Sequence, residues 1–270
     1  MFNQIAINSN TYSGFSLEEA VQGTSEAGFS KIELAAVEHT PHVLNGMSEK
    51  ELRDIKTLLE SYRMTCIGIG AHSNLMTDEG IDNLLKAVDL AVYFDCSYII
   101  TSTGEAHGDG DVIEDETILV RNLTPVLDKC ESKNITLAVE THGNNYATGS
   151  ALGKLSEKLN HRIKINYDTA NVIFYGDVMP YDDLEVSMEH VGFIHLKDKL
   201  GHNQEWNFPA IGKGHLDFRR IFHILEENKF PGPISVEIEF TPDGPKNLAE
   251  VDKAVKSSFD YLKKLLGQES

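Results

Sequence analysis

The chain alternates short apolar or β-branched runs with longer stretches of helical period, and it does so eight times. The short runs are IAINS from Ile5, KIELAA from Lys31, TCIGIGAH from Thr65, SYIITST from Ser97, ITLAVETH from Ile135, IKINYDTA from Ile163, VGFIHLKD from Val191 and ISVEIEF from Ile234. Runs of this length with β-branched content predict strands, and the spacing between their starts leaves room for one helix each. Eight βα units in succession, with no low-complexity linker, favour a closed parallel barrel over an open sheet. The predicted fold is α/β, a single (β/α)8 TIM barrel that takes in residues 1–270 as one domain.

The intervening stretches carry helix start and stop signals. Ser16 with Glu19, and Ser48 with Glu51, each form the Ser-x-x-Glu pattern of a capping box ahead of an apolar face. Gly28 follows EEAVQGTSEA and is placed to end the first helix. Val251, Val255, Phe259 and Leu262 make one apolar stripe on the last helix, suited to lying against the outside of a barrel. Pro125 falls within the fourth helical stretch and is expected to kink or restart it.

Composition narrows the partners. Against 24 Lys plus Arg stand 42 Asp plus Glu, a formal net charge of −18, which opposes binding to a polyanion and argues against nucleic acid as a partner. No stretch approaches the roughly 20 apolar residues of a membrane span, and the most apolar helical segment, Ala87 to Phe94, is interrupted by Asp89. The opening MFNQIAINSN lacks a basic region followed by an apolar one, so no secretory signal is read and a cytoplasmic location is expected. Cys66, Cys96 and Cys130 include no CxxC pair and are read as small buried hydrophobes.

In a parallel barrel, side chains at the carboxyl ends of different strands share one mouth. The fifth to eighth predicted strands each end in a metal-ligating residue: Glu140, Asp168, His195 and Glu237. Singly, each has a plain explanation as a solvated loop charge or a hydrogen-bonded core histidine. Together they would bring like charges into one cavity, which is costly without a cation. Three carboxylates and one imidazole suit Mn2+, Mg2+ or Co2+ better than a structural Zn2+, although Zn2+ is compatible. Asp168 and His195 lie on the inner strands of this quartet and Glu140 and Glu237 on the outer ones, so the glutamates should flank a bound ion. That order suits proton removal from one face of a small chelating substrate and return to the other, the metal polarising a carbonyl as an enediolate forms.

The motifs AVETHGN, NYDTAN, FIHLKD, GKGHLDF and SVEIE resemble those of the xylose-isomerase-like TIM barrels, a sugar isomerase and epimerase superfamily that also contains endonuclease IV and inosose dehydratases. The resemblance runs over nearly the whole chain and is most specific in its last four strands. Similarity to the ketose 3-epimerase branch implies that Glu140, Asp168, His195 and Glu237 are the metal ligands and that Glu140 and Glu237 double as the catalytic proton-transfer pair. Asn171 stands where that branch often has His and is expected to touch substrate. The acidic GEG of the seventh loop reads GKG here, at Gly212 to Gly214. Homo-oligomers are common among such barrels.

Further substrate contacts are expected from His142, two residues beyond Glu140 and on the same side of the strand, and from Lys197 in the same relation to His195. A second-shell hydrogen bond for His142, and a carboxylate partner for Lys197, are the competing readings. Glu33 and His72 would line the opposite wall, with a solvated loop charge equally in view for Glu33. Trp206 in the seventh loop either stacks on a sugar face or anchors the loop. The glycines of GEAHGDGD, from Gly104, lack a dinucleotide-fingerprint context and are expected to form a loop over the mouth. No Walker lysine, serine elbow or HExxH motif is present.

The expected activity is a divalent-metal-dependent isomerase or epimerase of carbohydrate metabolism, acting on a sugar or sugar phosphate by proton transfer. The alternatives are a keto-polyol dehydratase on the same scaffold, an endonuclease IV-like phosphodiesterase, which would need more histidines and a basic rim, and a barrel that only binds sugar.

Overall fold

The computed structural model describes residues 1–104, 113 and 115–267. Its strands are β1 (Ile5–Asn8), β2 (Lys31–Val37), β3 (Thr40–Pro41), β4 (Thr65–Gly70), β5 (Tyr98–Thr101), β6 (Thr136–Glu140), β7 (Lys164–Asp168), β8 (Val191–Leu196) and β9 (Ile234–Val236). The sheet order is β1-β9-β8-β7-β6-β5-β4-β2, and β1 also pairs with β2, which closes a barrel of eight parallel strands. The two-residue β3 is an antiparallel addition to the end of β2 that the sequence pattern did not announce.

Around the barrel lie α1 (Leu17–Ala27), α2 (Glu49–Ser61), α3 (Asp78–Tyr93), α4 (Glu116–Lys133), α5 (Gly149–Lys158), α6 (Asn171–Phe174), α7 (Pro180–Ser187), α8 (Phe218–Glu227) and α9 (Leu248–Leu265). Both capping boxes form, at Ser16 with Glu19 and at Ser48 with Glu51. Gly28 caps α1 at φ 112°, a left-handed angle, and a Cβ there would lie 2.7 Å from the Phe259 ring, so glycine meets both demands. On α9, Val251, Val255 and Leu262 are fully buried, and Phe259 packs edge-on against Phe2 and Phe29. Each such apolar side chain contributes about 1.5–3 kcal/mol by leaving water.

Two expectations are corrected. Helix α4 does not restart at Pro125; it runs unbroken from Glu116 to Lys133. Proline removes one backbone donor, whereas Leu119, Leu123, Val126, Leu127 and Cys130 are buried along the same helix and hold it together. The seventh strand is followed by two short helices, α6 and α7, instead of one, and the segment 197–217 reaches α8 without another helix. The glycine-containing stretch after Gly104 lies outside the described residues.

The barrel interior is layered. Towards the amino ends of the strands Ile100, Ala138 and Phe193 form a small apolar plug flanked by Ile67 and Tyr98. The larger apolar core fills the space between strands and helices and includes all three cysteines, each a free buried thiol. Buried polar side chains gather towards the carboxyl ends, among them Glu33, Glu140, Asn166, Asp168, His195 and Lys197. Among the described residues no helix is long and apolar enough to cross a membrane.

Candidate metal centre and active site

Beyond the last ladder residues, hydroxyl groups stitch neighbouring strands together. Thr141 Oγ1 accepts from Asp168 N at 2.9 Å, and Thr169 Oγ1 accepts from Lys197 N at 3.0 Å while donating to Lys197 O at 2.7 Å. Thr11 Oγ1 accepts from Ile238 N at 3.0 Å, and Ser9 Oγ from Ala35 N at 2.8 Å. These bonds replace ladder contacts where the backbone turns outward, and they fix the residue on either side of each hydroxyl.

Glu140 closes β6, Asp168 closes β7, His195 is the penultimate residue of β8, and Glu237 follows β9 directly. One ligand atom from each of the four lies within 4.8 Å of all the others, and all four side chains are buried. His195 Nδ1 faces this cluster, 2.5 Å from Glu140 Oε1 and 3.6 Å from Glu237 Oε2. Its Nε2 points away, 3.0 Å from Glu33 Oε2. The carboxylate thus holds the far nitrogen of the ring, the arrangement that orients ligating histidines. Asp168 Oδ1 accepts from both Ala170 N and Asn171 N at 2.8 Å, which positions the carboxylate at the start of α6.

The charges need a cation. Glu33, Glu140, Asp168, Glu237 and Glu239 converge on one histidine and one lysine. Burial opposes charge on both bases. For His195 the surrounding Glu33, Glu140 and Glu237 outweigh it and hold the pKa well above the ordinary imidazole value. For Lys197 the same is done by Asp168, Glu237 and Glu239, whose oxygens lie 3.0, 2.8 and 2.9 Å from Nζ. Burial raises Glu237, but Lys197 and His195 more than reverse it and hold its carboxyl below the usual range. Burial, with Glu237 nearby, pushes Glu239 up to about 7 against the pull of Lys197. Asp168 Oδ2 is buried, with the Lys197 ammonium 3.0 Å away. An excess of carboxylate over base and an oxygen-rich donor set within 4.8 Å together fit a divalent ion.

A cavity of about 680 Å3 opens over this cluster. Glu140 and Glu237 line it together with Asn8, Asn10, His72, His142, Asn171 and Lys197, and Trp206, Ile238 and Phe240 supply apolar wall.

The family description "Xylose isomerase-like TIM barrel" matches residues 21–265. The chain belongs to this family. Among curated relatives of this xylose isomerase-like barrel is an inosose dehydratase of Clostridium tetani, 26% identical over 155 residues, 51% of this chain and 52% of that protein. The match therefore spans about half the length of that relative. A D-allulose 3-epimerase from Methylomonas sp. superposes with a TM-score of 0.75 at 18% identity, covering 97% of each chain. A xylose isomerase-like TIM barrel protein from Mycobacterium smegmatis, solved in complex with magnesium, gives 0.76 at 15% identity over 97% of each chain. At these identities the solved structures speak for the fold.

Within this xylose isomerase-like barrel the residues singled out by sequence take distinct places. His142 Nε2 lies 3.1 Å from the Tyr175 hydroxyl, and His72 Nε2 3.7 Å from Glu140 Oε2, both on the cavity wall. Lys197 and Asn171 are neighbours there, 3.4 Å apart. Trp206 lines the cavity and also packs edge-on against Phe174 and Phe208, which anchors its loop. Glu33 is fully buried against His195 and is therefore not a solvated charge. Among the wall residues that escaped the sequence reading, three bond to the cluster. Asn8 and Asn10 donate to Glu237 Oε1 at 3.1 and 3.0 Å, and Glu239 accepts from Lys197. The available signal for Glu239 was its two-residue offset from Glu237, which keeps both on one side of the chain.

Proposed function

We propose that this chain is a divalent-metal-dependent isomerase or epimerase of a sugar, working by proton transfer at the carbon beside a carbonyl. The observation that carries this reading is the placement of Glu140 and Glu237, which approach the same imidazole nitrogen from β6 and β9 within the four-ligand cluster. Glu140, Asp168, His195 and Glu237 would hold the ion, and the magnesium in the Mycobacterium smegmatis relative supports Mg2+ or Mn2+ in that place. A divalent ion there supplies Lewis acidity to the substrate carbonyl. Glu140 and Glu237 take and return the proton from opposite sides. Asn8 and Asn10 fix the side chain of Glu237 through Oε1 and leave its other oxygen on the Lys197 side. His142, His72, Asn171 and Lys197 are placed to orient substrate hydroxyls from the cavity wall. The three free thiols support a reducing, cytoplasmic setting.

A dehydratase is the second reading, favoured by the Clostridium tetani relative. Its first step is the same proton abstraction; the neighbouring hydroxyl then leaves as water. Incubating the Mn2+-loaded protein with a panel of ketoses and keto-polyols in heavy water separates these outcomes. Deuterium beside the carbonyl with unchanged carbon skeleton is expected for the isomerase or epimerase, and a product lighter by one water identifies the dehydratase. A panel that takes up no label and loses no water would refute both.

A further inference from the structure

The proposed reaction leaves open whether the sugar is phosphorylated, and the cavity wall speaks to that choice. Among the described residues its carboxylates are Glu38, Glu140, Glu237 and Glu239, its one lysine is Lys197, and it has no arginine. Lys197 Nζ is already engaged by oxygens of Asp168, Glu237 and Glu239, all within 3.0 Å. A dication together with Lys197 matches the three carboxylates of the ion cluster, so no cationic group is left over for a phosphate, while Glu239, which shares Lys197, and the exposed Glu38 add only carboxylate to the wall. A phosphate ester needs cationic or backbone NH donors aimed at it; this wall offers it carboxylates.

The remaining wall is apolar and deliberately held. Phe240 sits at φ 60°, a left-handed conformation that a bulky side chain avoids. It is kept there by a two-way backbone bridge, with Phe208 N donating to Phe240 O at 2.7 Å and Phe240 N to Phe208 O at 2.9 Å. Phe208 also supports Trp206, their ring centroids 5.0 Å apart. The bridge joins the loops after β8 and β9 and sets Trp206 and Phe240 into the same cavity as Ile238 and Pro245. Strain maintained at a cavity wall points to a role for the side chain it aims.

We infer that this site selects an uncharged ketose or keto-polyol against its phosphate ester, with the carbon-hydrogen face remote from the ion cluster seated on Trp206 and Phe240. The inference rests on the sugar-directed reading above and refines it. The test is saturation-transfer NMR on the Mg2+-loaded full chain with matched pairs, each a ketohexose or cyclic keto-polyol and its monophosphate. The neutral member is expected to bind about 100-fold more tightly than the ester, a like-charge penalty of ordinary size. Glu38→Arg, at an exposed position outside the proton-transfer machinery, should narrow that gap about tenfold by strengthening the ester alone. Phe240→Gly, which tolerates the left-handed angle, should weaken the neutral member and leave the gap in place. Equal or tighter binding of the esters, or silence of every neutral sugar, overturns the inference. Solvent deuterium exchange run in parallel keeps the two readings apart. Neutral sugars that bind without exchanging would sink the proposed reaction and leave the selectivity standing, whereas exchange confined to esters would do the reverse.

Discussion

At the residue scale, the proposed reaction separates side chains that would touch substrate from one that would work through a neighbour. Glu140→Gln and Glu237→Gln should each lower turnover by at least about 10^3-fold, with far-UV circular dichroism unchanged; normal turnover in either would remove it from the proton-transfer pair. Glu33→Gln acts differently, because Glu33 meets only the far nitrogen of His195. It should weaken Mn2+ binding about 10–100-fold, read by isothermal titration calorimetry on a variant whose circular dichroism is native. Undiminished affinity would take away its positioning role. The four clustered residues were legible because each ends an apolar run, and a barrel sends those ends to one mouth. Glu33 was legible as a strand residue but not as a partner of His195: their contact spans a sequence separation of 162 and depends on which ring nitrogen faces inward. Asn8 and Asn10 left no pattern, since asparagine at a strand end more commonly makes a turn.

At the scale of elements, the caps do what their sequences announced. Thr148 Oγ1 accepts from Ala151 N at 3.2 Å and begins α5. Replacing it with alanine should cost about 1 kcal/mol, seen as a lower urea midpoint at constant slope; an unmoved midpoint would mean that the bond has no net worth. Strand positions were readable from β-branched runs, but their ends were not, because hydroxyls of Ser9, Thr11, Thr141 and Thr169 take over from the ladder. That substitution shortens the last strand to Ile234–Val236 while leaving Glu237 N bonded to Leu196 O at 3.1 Å. Pro125 shows the converse: a local rule for ending helices gave way to five buried side chains along α4.

At the scale of the whole molecule, the proposed metal role makes the stability of the folded state respond to added ion. Saturating Mn2+ at about 100 times its dissociation constant should add about 2.7 kcal/mol, raising the melting temperature by about 5–10 °C for a chain of this size. Differential scanning fluorimetry with Mn2+ and with chelator measures it, and Glu237→Gln should lose most of the shift. Protons act elsewhere as well. Burial lowers the pKa of His42 from its ordinary 6.5, in spite of the Phe15 carbonyl oxygen 3.0 Å from its Nε2. The unfolded chain therefore binds the proton more readily, so the stability associated with neutral His42 is complete above 6.5 and is lost as pH falls below it. Chemical denaturation across that window should show a flatter acid slope for His42→Gln, and an identical slope would assign the acid sensitivity to other groups.

Asn8 and Asn10 reach Glu237 across more than two hundred positions, and β1 is the seam on which the cylinder shuts, between β9 and β2. A nascent polypeptide paused after β8 already owns Glu140, Asp168 and His195, yet it lacks both the last donor and the stave that its own beginning awaits. If these four residues hold an ion, its tight capture waits until translation has passed β9, and metal occupancy would then certify finished folding.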